Sequence, residues 1–262
     1  MPRKRVNNIE INYRVAGKGR YLTLVHGAHF DLTTWEPQVA YFSKRYRVVT
    51  YDLRGHGKSE MPKGPYSIDD CVEDLYRLFQ YLGIQRSYLG GLSMGGNISL
   101  SFTLKHSERV DTLILAGTNS GAVRKEIRQV GVDKRTLLEA YKGMLYSTSF
   151  SKHHPDQIAN WEKRFLANPT EGLIKAVKAN LDRPDLTSRL SEIKKRTLIV
   201  VGAEDAVTPP QVSEAMGTRI SHSEVRVIPD CGHICNEEQP GAFNSVVEEF
   251  LQRVRDEFDG GT

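Results

Sequence analysis

The chain has 262 residues, of which 39% are apolar, and a formal net charge of +4; this suits a single α/β domain carrying an insertion. No run of about 18 apolar residues occurs, which excludes a membrane-spanning helix. The positive surplus is local, because residues 121–190 hold 13 Lys+Arg against 8 Asp+Glu. Those charges are scattered among acids and apolar residues without a nucleic-acid motif, so no nucleic-acid partner is expected and a solvated helical face is.

At the N-terminus, Arg3-Lys4-Arg5 precedes Val6-Asn7-Asn8-Ile9-Glu10. That stretch is no apolar signal-peptide core, so the expectation is a solvated basic end. Ile9 to Val15 alternates as a half-buried strand does, and Gly17-Lys18-Gly19 turns the chain. Tyr21 to Val25 is a strand ending at His26-Gly27, Trp35 to Lys44 a helix, and Tyr46 to Tyr51 a strand ending at Asp52. Ser67 caps a helix that has acids in its first turn, apolar residues from Val72 to Leu82 and a stop at Gly83. Arg86 to Leu92 (strand), Gly95 to Lys105 (helix) and Val110 to Ala116 (strand) follow. From Gly121 to Arg189 the pattern is helical, polar and without a strong strand. Strands resume at Thr197 to Gly202 and Glu224 to Ile228, and Gly241 to Arg255 is the last helix; Asp259 to Thr262 is expected to fray.

Strands alternating with helices imply a mostly parallel sheet covered on both faces, an α/β fold. Residues 1–120 and 191–262 are expected to form the core, and residues 121–190 a helical cap. Three cysteines, Cys71, Cys231 and Cys235, fit a reducing, cytoplasmic setting better than a disulfide framework. Cys231, His233 and Cys235 lack a second ligand cluster at zinc-like spacing, and His153-His154 reads as a surface turn, so no metal is expected.

Gly91-Leu92-Ser93-Met94-Gly95 sits between a strand and a helix. A serine there is forced onto a sharp turn that lifts its hydroxyl above the sheet, and side chains at 91 and 95 would collide with the neighbouring helix and strand. A serine hydroxyl needs a base, and the base needs an acid to fix its tautomer. His233, in the loop after the Glu224 strand, is the best-placed histidine, and Asp205, after the Thr197 strand, is preferred over Glu204 as the acid. The order Ser93, Asp205, His233 is that of this elbow. Oxyanion donors are expected at the N–H groups of Met94 and Ala28. His26 is assigned to shaping its loop.

His26-Gly27 with Trp35, Tyr51 to Ser59, Gly91 to Gly96, Gly202 to Asp205 and Cys231-Gly232-His233 occur in the order seen in the α/β-hydrolase superfamily. The chain resembles its members with a helical cap over nearly its whole length, least within Gly121–Arg189. In that family the Asp52–Ser59 segment is structural, so His56 is given no catalytic role. Epoxide hydrolases and haloalkane dehalogenases use an aspartate nucleophile and are disfavoured by Ser93. The resemblance implies a serine carboxylic-ester hydrolase acting on a small-molecule ester or lactone without a cofactor. Enol-lactone hydrolysis and carbon–carbon hydrolysis use the same triad. The basic insertion favours a substrate bearing a carboxylate. A ligand receptor on this fold is the rival from another class, marked by turnover below about one per minute. Trp161, Phe165 and Phe30 are candidates for lining the acyl pocket, although each also fits simple packing. Oligomeric state is not readable from the sequence.

Overall fold

The computed structural model describes residues 1–121 and 133–259. Its strands are β1 (Arg3–Val6), β2 (Ile9–Ala16), β3 (Tyr21–Val25), β4 (Arg47–Tyr51), β5 (Ser87–Leu92), β6 (Val110–Ala116), β7 (Arg196–Gly202) and β8 (Ser223–Ile228). They form one sheet in the order β1-β2-β4-β3-β5-β6-β7-β8. β1 and β2 run antiparallel, as do β2 and β4, and every other neighbouring pair is parallel.

Period-two alternation sends successive residues of the central strands to opposite faces. Leu22, Leu24, Val48 and Tyr88 pack with Trp35, Val39 and Phe42 around α1 (Glu36–Phe42), and with Phe243, Val247 and Phe250 of α10 (Pro240–Asp259). Val25, Val49 and Leu89 face the other way, against Val72, Leu75 and Phe79 of α2 (Ile68–Leu82) and Ile98 and Phe102 of α3 (Met94–Lys105). The start of α2 is a capping box: Ser67 Oγ accepts from Asp70 N, and Asp70 Oδ2 accepts from Ser67 N. Gly83 ends it with φ 68°.

Between β6 and β7 the chain forms α4 (Lys134–Leu145), α5 (Thr148–His153), α6 (Pro155–Ala167) and α7 (Thr170–Leu181). These fall within the stretch expected to be helical; residues 122–132 of that stretch lie outside the described residues, as do Gly260–Thr262. A further helix, α8 (Pro210–Gly217), joins β7 to β8, and α9 (Cys235–Glu238) precedes α10. Among the described residues no helix is long and apolar enough to cross a membrane.

The basic N-terminal end is solvated, as expected, and also joins the sheet. Arg3, Lys4 and Arg5 are exposed, but their backbone pairs with β2 from Arg3↔Asn12 to Val6↔Ile9. Asn7 and Asn8 both have positive φ, 47° and 61°, which is what a tight two-residue hairpin requires. The Asn-Asn pair was the signal for this hairpin.

Candidate active site

The site lies where β5, β6, β7 and β8 end. At the β5–α3 turn Ser93 has φ 53° and ψ −118°, a strained backbone for any residue with a side chain. The turn is closed by contacts only glycine permits. A Cβ on Gly91 would stand 2.2 Å from Gly95 O, and one on Gly95 would stand 2.2 Å from Val25 O of β3. Ser93 N donates to Ala116 O at 2.8 Å, and Thr118 Oγ1 donates to Ser93 O at 2.8 Å, so the end of β6 braces the elbow.

Asp205 and His233 come from the loops after β7 and β8. Asp205 Oδ2 and His233 Nδ1 are 2.8 Å apart, and both side chains are buried. The carboxylate is an acceptor only, so Nδ1 carries a proton towards it, and in the neutral ring that leaves Nε2 with its lone pair. Asp205 Oδ1 accepts from Val207 N (2.9 Å) and Thr208 N (2.8 Å), and Oδ2 also accepts from Thr208 Oγ1 (2.8 Å). Burial pushes the Asp205 carboxyl upward, but His233 and these hydrogen bonds outweigh it and hold the group below its ordinary value. Glu204 is exposed and accepts from Thr148 N instead. The backbone of His233 is fixed from the insertion, donating to Leu145 O at 2.8 Å.

Ser93 and His233 each adjoin the Ala116–Gly117 segment. The Gly117 amide follows the carbonyl that holds Ser93 N, and a Cβ on Gly117 would lie 3.1 Å from His233 Cε1 and Nδ1. Gly117 has φ 48° and leaves that space to the imidazole. No hydrogen bond joins Ser93 Oγ to the ring in this structure; such bonds are often long before substrate binds.

The loop after β3 passes beside the elbow, and a Cβ on Gly27 would be 3.3 Å from that of Ser93. Ala28 is buried there, and its N–H has no acceptor among the described residues. Met94 N is the first amide of α3 and has no partner within the helix. His26 braces the loop: Leu53 N donates to its Nε2 at 2.9 Å, and its Nδ1 lies 2.7 Å from Gly27 O. Burial lowers its pKa to about 4, so it stays neutral. His56 is buried against it, bonds Arg54 O, and is lowered to about 3, chiefly by burial. Asp52 accepts from Leu32 N, Asn12 Nδ2 and Lys58 N, which pins three segments together.

A cavity of about 730 Å³ opens beside Ser93. Its walls include Asn97, Tyr141, Asn180, Arg183, Val207 and Val212. Phe30, Trp161 and Phe165, expected as pocket lining, are not among its walls. Trp161 and Phe165 are fully buried in the apolar core, where the Trp161 ring lies tilted 5.4 Å from that of Phe165 and 6.5 Å from that of Phe30 between centroids. Phe30 does approach Gly27, with Cδ2 3.5 Å from the position of a Cβ there.

Sequence reasoning missed Thr208, which fixes Asp205, and the polar wall of Asn97, Asn180 and Arg183. Thr208 had a signal, since a threonine three residues after a loop aspartate suits an Asx-type turn. The polar wall had none. Cys231 and Cys235 are buried free thiols, and among the described residues no group of three or more His, Cys, Asp or Glu is placed to hold a metal ion.

Comparison with known proteins agrees with this architecture. A family described as alpha/beta hydrolase fold matches residues 22–240. 3-Oxoadipate enol-lactonase 2 of Acinetobacter baylyi is 29% identical over 256 residues, covering 94% of each chain. A 2-hydroxy-6-oxononadienedioate/2-hydroxy-6-oxononatrienedioate hydrolase of Escherichia coli K12 is 31% identical over 271 residues, covering 94% of this chain and 92% of its own. Among solved structures, a thermophilic esterase from Thermogutta terrifontis superposes with a TM-score of 0.91 at 31% identity, over 97% of this chain and 99% of that one. The eight-stranded sheet, the Ser93 turn at the end of β5 and the match across residues 22–240 together establish that this chain is a hydrolase of the α/β-hydrolase family.

Proposed function

We propose that the protein is a serine carboxylic-ester hydrolase that works through an acyl-enzyme on Ser93. The observation that carries the reading is the buried Asp205–His233 pair, 2.8 Å apart, set beside a strained serine at the head of a helix. His233 Nε2 takes the Ser93 proton as Oγ attacks the ester carbonyl, and Asp205 stabilises the imidazolium that forms. The N–H groups of Ala28 and Met94 receive the oxyanion. His233 then protonates the leaving alcohol and activates the water that frees Ser93. Residues 121–190 act as a cap over the serine and supply part of the cavity wall. The similarity to an esterase of known structure supports the same reading.

Hydrolysis of 4-nitrophenyl esters from acetate to decanoate by wild type and Ser93→Ala tests it. Turnover lost in the variant is the expected result, and the chain-length optimum sizes the pocket. Turnover unchanged in the variant, or none in wild type, would defeat the reading.

A second reading, lactone hydrolysis, is favoured by the similarity to an enol-lactonase. The chemistry is the same, but the leaving oxygen stays tethered to the acyl group. A lactone series run beside the esters separates the two by kcat/KM.

A further inference from the structure

The loop that carries His233 is held from two sides. From the core, Glu204 N donates to Cys231 O at 2.8 Å, and a Cβ on Gly202 would stand 2.1 Å from Gly232 O. From the insertion comes the turn between α4 and α5. Its Leu145 O accepts from His233 N at 2.8 Å and from Ile234 N at 3.3 Å. A Cβ on Gly232 would lie 2.7 Å from Ser147 N and 2.8 Å from the Tyr146 carbonyl carbon, so glycine is what lets the turn approach this closely.

One side chain joins the two segments. Glu238, at the end of α9, accepts from Gly232 N through Oε1 at 2.9 Å and from Ser147 N through Oε2 at 3.0 Å. It is 6% exposed. Burial pushes its carboxyl above the ordinary value, and Glu204 adds to that; the Ser147 amide and hydroxyl and the Gly232 amide oppose it. Loss of this carboxylate would leave two buried amides without an acceptor. The contacts close a ring: from Glu238 through Gly232 to His233 N, across to Leu145 O, and back through Ser147 N to Glu238. That ring fixes the His233 backbone, from which the imidazole reaches Asp205 Oδ2.

We propose that Glu238 is a positioning residue for the reaction: it seats the α4–α5 turn on the His233 loop, so that the base stands ready only while that turn is in place. This rests on the reading of His233 as the base. The insertion is then part of the mount of the base as well as a wall of the cavity. Any movement of the insertion that admits substrate has to leave this turn seated, or the base is displaced with it.

Steady-state kinetics on one 4-nitrophenyl ester tests this with wild type, Glu238→Gln, Glu238→Ala and Glu204→Gln. Glu238→Gln keeps the shape of the side chain but only one acceptor oxygen, so its NH2 group confronts one of the two amide donors. Its kcat should fall by about tenfold, and that of Glu238→Ala by about 100-fold, with KM within about threefold of wild type in both. Glu204→Gln, which alters an exposed contact with Thr148 of the same turn, should stay within about twofold. Wild-type kcat in a folded Glu238→Gln or Glu238→Ala, or a loss confined to KM or to melting temperature, would overturn the proposal. Should both variants fail to fold, amide hydrogen exchange of wild type decides. Gly232, His233 and Ser147 should then share protection within about tenfold, and a Ser147 amide exchanging over about 100-fold faster than that of His233 would overturn it. If wild type hydrolyses no ester, the ester-hydrolase reading fails separately, and the mount is judged by exchange alone. Glu238→Gln should then speed exchange at His233 by about tenfold or more, and unchanged exchange rejects the mount.

Discussion

Asp205 Oδ2 and His233 Nδ1 stand 2.8 Å apart in a pocket closed to solvent, and Thr208 binds the same carboxylate through both its amide and its hydroxyl. Asp205→Asn would present an amide that can donate to Nδ1 and so favours the tautomer with its proton on Nε2, unable to accept from Ser93. The expected loss is about 10³- to 10⁴-fold in kcat with little change in KM. Glu204→Gln, at the exposed neighbour, should stay within about twofold of wild type. Steady-state kinetics on one 4-nitrophenyl ester checks both, and the acid is misassigned if the two variants exchange behaviours.

The same carboxylate sets a pH dependence of stability. Its folded-state pKa lies below the ordinary 3.8, because His233 and the hydrogen bonds from His233 and Thr208 outweigh burial. A depressed carboxyl pKa means the unfolded chain binds the proton more readily, so the stabilisation is present above the unfolded value and disappears as pH falls through the folded one. The stability gap between wild type and Asp205→Asn should therefore shrink as pH falls below about pH 4. Urea midpoints across that range measure it. A gap that grows on acidification would mean the carboxyl is raised rather than lowered.

Ser93 carries its strain in the backbone, with φ 53° and ψ −118°. Ser93→Ala removes the proposed nucleophile and keeps the strain, whereas Ser93→Gly removes both. Such strain costs about 1–3 kcal/mol, and the extra chain entropy of glycine offsets roughly 0.5–1 of it. Ser93→Gly should melt above Ser93→Ala by about 2–4 °C, with both inactive. Equal melting temperatures, read by calorimetry, would mean that the turn is not strained in solution.

The parts of this molecule written as strong local patterns were readable in the sequence. The parallel strands β3, β5, β6 and β7 are buried on both faces, so they appear as apolar runs with sharp ends. Ser93 and Asp205 each follow such an end, His233 follows the half-exposed edge strand β8, and Gly91 and Gly95 mark the only way the elbow can pack. The cavity wall is different. Trp161 and Phe165 show the apolar spacing of an amphipathic helix, and that spacing is the same whether the buried face meets a core or a substrate. Here it meets the core. Arg183 is one of 13 cations in the insertion, and its burial depends on the contacts with Asn119 and Gly121 across the chain. No pattern along one segment encodes such contacts.

The insertion is tied to the core next to His233. Nη2 of Arg164 in α6 donates to both oxygens of Glu237 at 2.9 and 3.0 Å, its Nη1 donates to Thr33 Oγ1 at 3.2 Å, and Thr34 Oγ1 donates to Glu237 at 2.7 Å. The Arg164 and Glu237 side chains are 26% and 15% exposed, so the pair is partly shielded from water and salt. Glu237 lies in α9, four residues beyond His233, so the clamp holds the segment that carries the imidazole to the helix packed over it. Arg164→Gln leaves that carboxylate short of a charged partner, and a loss of about 1–3 kcal/mol is expected, or roughly 2–8 °C in melting temperature. A small displacement of the proposed base, His233, costs rate as well as stability, so kcat/KM should fall by about three- to tenfold. Arg164→Lys keeps the charge but cannot hold Glu237 and Thr33 Oγ1 through two nitrogens at once, and should fall between wild type and Arg164→Gln in both measurements. An Arg164→Gln variant that melts and turns over like wild type would show that the pair contributes nothing to holding the insertion in place.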